Sequence, residues 1–272
     1  MPVAQALGQN IVIDIRPGSG GLIAAQEAAR ATADGYTLLY ASGAQMGISP
    51  ALHAKAGYDP LKSFTHVINL SDTALVLVVH PALPVKNAKE FVPYTLANKG
   101  RVNAASTGNG TYTHLTIELS KAQTGADLKH VPYKGAAAAM NDLLGRQVQS
   151  LFTSIASAQR HIVSKRLRGL GITSPQRSRS LADVPTFDES GMSGLNVSAW
   201  IGIAVPAGTP APIVTRFAGE FGRVLQQPGI RDRLASLGSE VSGQSGEPFT
   251  RMVREDVALW ANVIKAAGIK LE

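Results

Sequence analysis

The chain of 272 residues contains no cysteine. That excludes disulfides, thiolate nucleophiles and cysteine-based metal sites, and leaves the redox compartment open. Aromatic residues make up only 6% of the sequence, and none falls between residues 153 and 186, where the basic residues are densest: Arg160, His161, Lys165, Arg166, Arg168, Arg177 and Arg179. A nucleic-acid footprint interleaves aromatic or groove-reading elements with its cations. This run therefore reads as a solvated face, and nucleic acid is not an expected partner. No uninterrupted apolar run approaches the roughly 18 residues that a membrane-spanning helix needs. The opening segment, MPVAQALGQN, has neither a basic stretch nor an apolar one, so no signal peptide is expected in it. Acidic residues are also scarce, 19 against 26 Lys and Arg, for a net charge of +7. Such a surface suits acidic small molecules or acidic partners. The histidines, at 53, 66, 80, 114, 130 and 161, include no i,i+4 pair and no HExxH. No metal or organic cofactor is expected.

What is present is an alternation. Apolar runs at Ile11–Ile15, Tyr36–Tyr40, Ala74–His80, Arg101–Ser106, Leu128–Tyr133, Val148–Thr153, Leu167–Thr173 and Trp200–Val205 read as strands. Helical patterns separate them at 22–31, 87–97, 112–123, 135–144 and 155–164, and this βαβ order predicts a mostly parallel sheet with helices on its faces. After Pro206-Ala207-Gly208-Thr209-Pro210 the chain reads as three amphipathic helices, the second ended by Gly238. The aromatic and Met positions of these helices read as core. The apolar strands at 74–80 and 200–205 bracket a middle segment, which predicts two lobes joined by two crossover strands: residues 1–78 with 204–272, and residues 79–203. Ligands of open α/β sheets bind at the C-terminal ends of strands, and a cleft between the lobes would lie there.

The stretch RVNAASTGNGTYTHLTIEL at 101–119 is a short strand, a Gly-rich turn and a helix, with Thr111 placed as N-cap. Unpaired N–H groups at a helix start can hold an anion. The turn lacks the Gly-Lys-Ser/Thr of a phosphate loop and the third glycine of a dinucleotide fingerprint. Alone, it is equally an ordinary strand-to-helix turn. Catalytic signals are few. Pro17-Gly18-Ser19-Gly20-Gly21 lacks nucleophile-elbow spacing, Asp14, Asp34, Asp59 and Asp142 form no carboxylate pair, and Ser106 with His114 has no evident orienting carboxylate. This inventory favours binding over catalysis. A Ser106–His114 hydrolase and a ligand sensor for a signalling partner remain the alternatives.

Seven motifs occur in order: RPGSGG (16–21), ADGYTLLYASG (33–43), SPALHAKAGYDPLKSF (49–64), AASTGNGTYTHL (104–115), HVPYKGAAAAMNDLLGRQVQ (130–149), LADVPTFDESGM (181–192) and SAWIGIAVPAGTP (198–210). Together they resemble the Bug family of extracytoplasmic solute receptors, the substrate-binding components of tripartite tricarboxylate transporters, over residues 3–268. The resemblance implies an α/β, two-lobed, type II periplasmic-binding-protein fold with two crossover strands and no enzymatic activity. It implies a small carboxylate as ligand, held in the inter-lobe cleft by backbone amides and hydroxyls. Its partners would be the transporter's membrane subunits, its location the periplasm, and its state a monomer. Carried over by position, the ligand-binding residues are Ser106, Thr107, Gly108, Asn109, Gly110 and Thr111 of the second lobe and Ser42, Gly43 and Gln45 of the first.

Two departures from the family pattern shape the expectation. Members often carry an aspartate after the strand ending near Phe152; here Thr153 and Ser154 stand there and complete the expected ligand-binding set. Hydroxyls cannot pair with a ligand ammonium, so a di- or tricarboxylate without an amino group is the expected ligand. The sequence also opens at Val3–Gln9, inside what the family places as its first helix, so lobe one is expected to lack its first strand and the adjoining Gly-rich loop.

Overall fold

The computed structural model of the chain describes residues 2–16, 21–53 and 55–269. The elements begin with α1 (Pro2–Leu7), α2 (Leu22–Arg30) and β1 (Leu39–Ser42). A π-helix (Ala44–Ile48) runs directly into α3 (Ser49–Leu52), and the long strand β2 (Phe64–Val79) follows. Next come α4 (Ala88–Ala97), β3 (Asn103–Ser106), α5 (Tyr112–Thr124), β4 (Lys129–Pro132), α6 (Ala136–Leu144), β5 (Ser150–Ser154), α7 (Ile155–Val163) and β6 (Arg168–Ile172). After a 3-10 turn (Arg179–Leu181), the chain continues through β7 (Ser198–Pro206), α8 (Ala211–Leu225), α9 (Pro228–Ser236), β8 (Glu240–Val241) and α10 (Glu247–Ala267).

These elements form two compact units, one reaching to Asp72 and resuming at Ala199, the other spanning Thr73–Ser198. β2 begins in the first unit and ends in the second. The first unit orders its strands β1-β7-β2-β8. Gly202 of β7 is required there: a Cβ would come within 2.7 Å of the Ile68 carbonyl oxygen and 2.5 Å of the Phe249 ring. Trp200, Phe249 and Val253 pack with Ala25, Leu39 and Met46 into one core cluster of this unit. The second unit orders its strands β6-β2-β5-β3-β4. Its core joins Val76 and Val78 of β2 to Leu151 of β5, Ala139 and Leu143 of α6, and Ile155 and Ala158 of α7. Among the described residues no helix is long and apolar enough to cross a membrane.

Three sequence-based expectations need correction. Ile11–Ile15 is not a strand: Val12, Ile13 and Ile15 are exposed at 87%, 62% and 78%, and no strand pairs with them among the described residues. β-Branched residues favour extended backbone, but a strand exists only with a partner for its ladder. The strand expected over Tyr36–Tyr40 starts instead at Leu39, because the Asp34 carboxylate accepts the Tyr36 N–H at 2.9 Å and holds the chain in a turn. The sheets are not mostly parallel: β3 pairs in parallel with β4 and β5, while β1–β7, β2–β5, β2–β6 and β2–β8 are antiparallel. α5 and α6 link β3, β4 and β5, and α7 crosses over β2 to join β5 to β6, while β2 itself runs against β5, β6 and β8. Residues 17–20 of the Gly-rich run lie outside the described residues.

Candidate ligand-binding site

Three β–α units in succession build one end of the second unit. β3, β4 and β5 run parallel, in register Ala104↔His130 and Ala105↔Leu151, and each is followed by a helix. The starts of α5, α6 and α7 are therefore gathered at the C-terminal ends of these strands. Thr111 caps α5 by accepting the His114 N–H, and Ser154 caps α7 by accepting the Ser157 N–H. The start of α6 has no side-chain cap, and Gly135 ahead of it holds φ 106°, a region that only glycine enters freely. Its N–H donates to the Thr107 carbonyl at 3.2 Å, and the Tyr133 N–H donates to the Ser106 carbonyl at 3.1 Å, which ties the α6 start to the 106–111 turn.

Within that turn, several donors are already engaged. The Thr107 N–H donates to Thr113 Oγ1 at 2.9 Å, the Gly108 N–H to Ser106 Oγ at 3.2 Å, and the Gly110 N–H to His114 Nδ1 at 3.0 Å. The hydroxyls of Thr107, Thr111 and Thr113 bond to one another at 2.9–3.3 Å, and Thr111 Oγ1 also donates to the Gly108 carbonyl at 2.7 Å. The result is a turn fixed from within, with exposed Asn109 at its tip. On the neighbouring strand, Thr153 is 1% exposed and its Oγ1 is buried with no hydrogen-bond partner among the described residues. Leaving a buried hydroxyl unmatched costs about 1–3 kcal/mol. Next to it, Ser154 Oγ bonds to Ser157 Oγ at 2.9 Å.

Beneath the turn lies a stacked pair of imidazoles. His114 and His130 have ring centroids 3.7 Å apart and planes 9° from parallel. Because His114 Nδ1 accepts the Gly110 N–H, its proton sits on Nε2, 4.0 Å from Glu118 Oε1. Ser106 Oγ lies 2.6 Å from His130 Nε2. Burial, followed by the nearby His114 and Lys121, pushes the His130 pKa down to about 4. Burial also lowers His114, with Glu118 opposing it and Lys121 adding to it. The histidine bonded to Ser106 is thus His130, not the His114 considered from sequence spacing; His114 is spent on Gly110. No carboxylate orients His130, so the third member of a Ser-His nucleophile is missing among the described residues.

In the first unit, Ser42 ends β1 and Gly43 leads into the π-helix that carries Gln45. Such helices are uncommon and recur at functional positions. Gln45 is 7% exposed; its Nε2 donates to the Gly21 carbonyl at 3.2 Å and its N–H to Ser42 Oγ at 3.4 Å. Gly21 sits at φ 90°, where a Cβ would come within 2.5 Å of the Gln45 amide, and it begins α2 with no side-chain cap. Ser42, Gly43 and Gln45 are therefore brought together, beside a helix start. The uncapped starts of α2 and α6 had no distinctive residue to mark them in the sequence; the signal was a glycine one position ahead of an Ala-rich helix.

The model of the tripartite tricarboxylate transporter family receptor, TctC, matches residues 2–269. The chain belongs to that family. Among its Bug relatives, BugT of Bordetella pertussis is 31% identical over 268 residues, covering 98% of this chain and 82% of BugT. Two solved structures are similar over most of their length. MatC of Rhodopseudomonas palustris with bound malate is 31% identical with a TM-score of 0.76, covering 97% of this chain and 90% of MatC. R. palustris Rpa4515 with adipate is 30% identical with a TM-score of 0.79, covering 98% and 91%. The chain is a TctC solute-binding receptor with the α/β periplasmic-binding-protein fold.

Proposed function

We propose that this receptor binds a small di- or tricarboxylate, performs no catalysis, and hands its ligand to the membrane subunits of a tripartite transporter in the periplasm, working as a monomer. The observation that carries the reading is Thr153 Oγ1, buried without a partner at the C-terminal end of β5, next to the turn and helix starts that follow β3 and β4. A ligand oxygen would complete that hydroxyl. Asn109 at the tip of the turn, the N–H groups that open α6, and Ser154 would supply further neutral donors around it, with Ser106, Thr107, Gly108, Gly110 and Thr111 shaping the cradle. Ser42, Gly43 and Gln45 are the corresponding set in the first unit. Neutral donors at helix starts hold an anion without a buried counter-ion, whose desolvation is expensive. Malate and adipate, named with two relatives, belong to the same chemical class.

Thr153 and Ser154 carry no charge, so a ligand ammonium would be buried unpaired. The test is a Thr153→Asp variant in calorimetric titration with succinate, malate, citrate, aspartate and glutamate. Wild type is expected to bind the acids without an amino group, and Thr153→Asp to lose them. Wild-type binding of aspartate or glutamate alone would contradict the ligand class.

A further inference from the structure

The basic run of residues 160–168 is left unused by this site, and the structure gives it a specific place. β2 ends at Val79, which pairs with Ser150 at the start of β5 and with Arg168 at the start of β6. Three segments lie at this end of the sheet: His80-Pro81 after β2, Leu144 at the end of α6 with Gly145-Arg146 after it, and Lys165-Arg166 after α7. His80, Pro81, Leu144, Lys165 and Arg166 line an open pocket of about 430 Å³. Along β5, Ser150 is four residues from Ser154, about 13 Å at ~3.3 Å per residue, so the pocket and the proposed carboxylate turn occupy opposite ends of one unit.

The electrostatics of this end are of one sign. No ion pair within 4.0 Å engages Arg146, Arg160, Lys165 or Arg166 among the described residues. After burial, the charge acting on His80 is that of Arg146, and the charges acting on His161 are those of Arg166 and Arg160. Arg160 Nε donates to His161 Nε2 at 3.1 Å, which leaves the proton on His161 Nδ1, an atom buried without a partner. Two residues before Lys165, at the end of α7, Val163 is 69% exposed.

The backbone repeats the message. Arg146 and Lys165 hold φ 63° and 58°, and they are the two non-glycine residues in the left-handed region among the described residues. A side chain in that region costs roughly 1–2 kcal/mol. Glycine would remove the cost, as Gly125 and Gly268 do at the ends of α5 and α10. Instead, long cationic side chains stand at both strained turns, Lys165 lining the pocket and Arg146 two residues beyond its Leu144.

We infer that this pocket is a docking site for an acidic, partly apolar protein segment. Arg146, Lys165 and Arg166 would receive its carboxylates, and Pro81, Leu144 and Val163 its apolar side chains. A bilayer is flat and would meet the exposed cations without reaching Pro81 and Leu144 in the pocket between them, so a projecting chain segment fits better. In a receptor that must release its ligand to a partner, a contact at the far end of the unit leaves the ligand turn unobstructed.

The experiment measures fluorescence anisotropy of a labelled twelve-residue peptide of Glu, Leu and Gly on the full chain, with a Gln, Leu and Gly peptide for comparison. The acidic peptide should bind and the Gln peptide should not. Lys165→Glu with Arg166→Glu should lower its affinity roughly tenfold or more, because like charges would face each other. Arg231→Glu with Arg233→Glu, on α9 of the first unit, makes the same change in net charge and should change affinity less than about twofold, the screened long-range part alone. Should the first pair unfold the chain, Lys165→Gln with Arg166→Gln replaces it, with a smaller loss in the same direction. Equal losses at both sites, absence of peptide binding, or binding only to phosphatidylglycerol vesicles would overturn the proposal. Carboxylate-induced stabilisation is read on the same variants and is expected to persist, so this site and the carboxylate site can fail separately.

Discussion

At one end of the second unit's sheet stand Ser106, Thr107, Asn109, Thr111, Thr153 and Ser154, all neutral; at the other stand His80, Arg146, Lys165 and Arg166. The neutral end is buried where it matters, with Ser106 at 0% and Thr153 at 1% exposure, while Arg146, Lys165 and Arg166 are exposed. The difference follows from desolvation. A hydroxyl can wait in the interior for a ligand oxygen at a cost of about 1–3 kcal/mol, whereas a buried unpaired cation costs several times more. A receptor that must release its ligand gains from the first arrangement, because no permanent charge holds the anion in place. A surface that must be found by a partner gains from the second, because exposed charge acts at a distance.

The largest expected effect is one that should strike both ends together. Leu151 is fully buried in the core of β5, between them. Leu151→Ala should cost about 2–5 kcal/mol of stability, measured by denaturant melts, and weaken carboxylate and peptide binding in parallel. If only one end suffered, the two would not share a scaffold.

Thr153→Val should separate them. It removes the unmatched hydroxyl, so the unliganded chain should be as stable as wild type or more so. Carboxylate affinity should fall by about 1–3 kcal/mol, or roughly five- to 150-fold in titration, and peptide binding should not change. A stability loss without loss of affinity would show that the hydroxyl is structural.

Acid should also act on the neutral end. The folded-state pKa of His130 is depressed to about 4, and that of His114 is lowered as well. In the unfolded chain both titrate near 6.5, so the unfolded state binds more protons as pH drops. Their contribution is fully present above about pH 6.5 and is lost as pH falls toward 4. Melting temperature should therefore decline over that window, and His130→Gln should flatten the decline. A flat profile in wild type would place both rings in contact with solvent.

The smallest expected effect lies at the basic end. Arg146→Gly relieves a left-handed side chain at φ 63°. It should raise stability by about 0.5–1 kcal/mol, or ~1–4 °C in melting temperature, while weakening peptide binding. A gain in stability without a loss in binding would strip the strained turn of its role.

Much of this architecture could be read from residues. The Thr111 cap, the apolar runs of β2 and β7, and the Gly238 stop carry local physics that tertiary structure did not overrule. The N-terminal half of β2 was hidden by the polar Ser71-Asp72, with Asp72 a poor strand former, a stretch that β8 holds in register through Ser71↔Val241 and Asp72↔Glu240. Ile11–Ile15 shows the converse, a run with strand propensity and no partner. For the site, the turn at 106–111 was visible as a Gly-rich helix start, but the partner of Ser106 was not. His130 comes from a strand 24 residues away, and only the parallel register of β3 and β4 brings it there. The left-handed Arg146 and Lys165 have no composition that announces them, and the uncapped start of α6 is marked only by Gly135.

Under the proposed function, neutral donors at the strand ends receive a carboxylate that has no amino group. Thermal melting of the purified chain with a panel of mono-, di- and tricarboxylates, aspartate and glutamate tests it most directly. A ligand at about 100 times its Kd adds roughly 2.7 kcal/mol. One or more di- or tricarboxylates should raise the melting temperature accordingly and the acidic amino acids should not; stabilisation by aspartate or glutamate with every other acid silent would contradict the account.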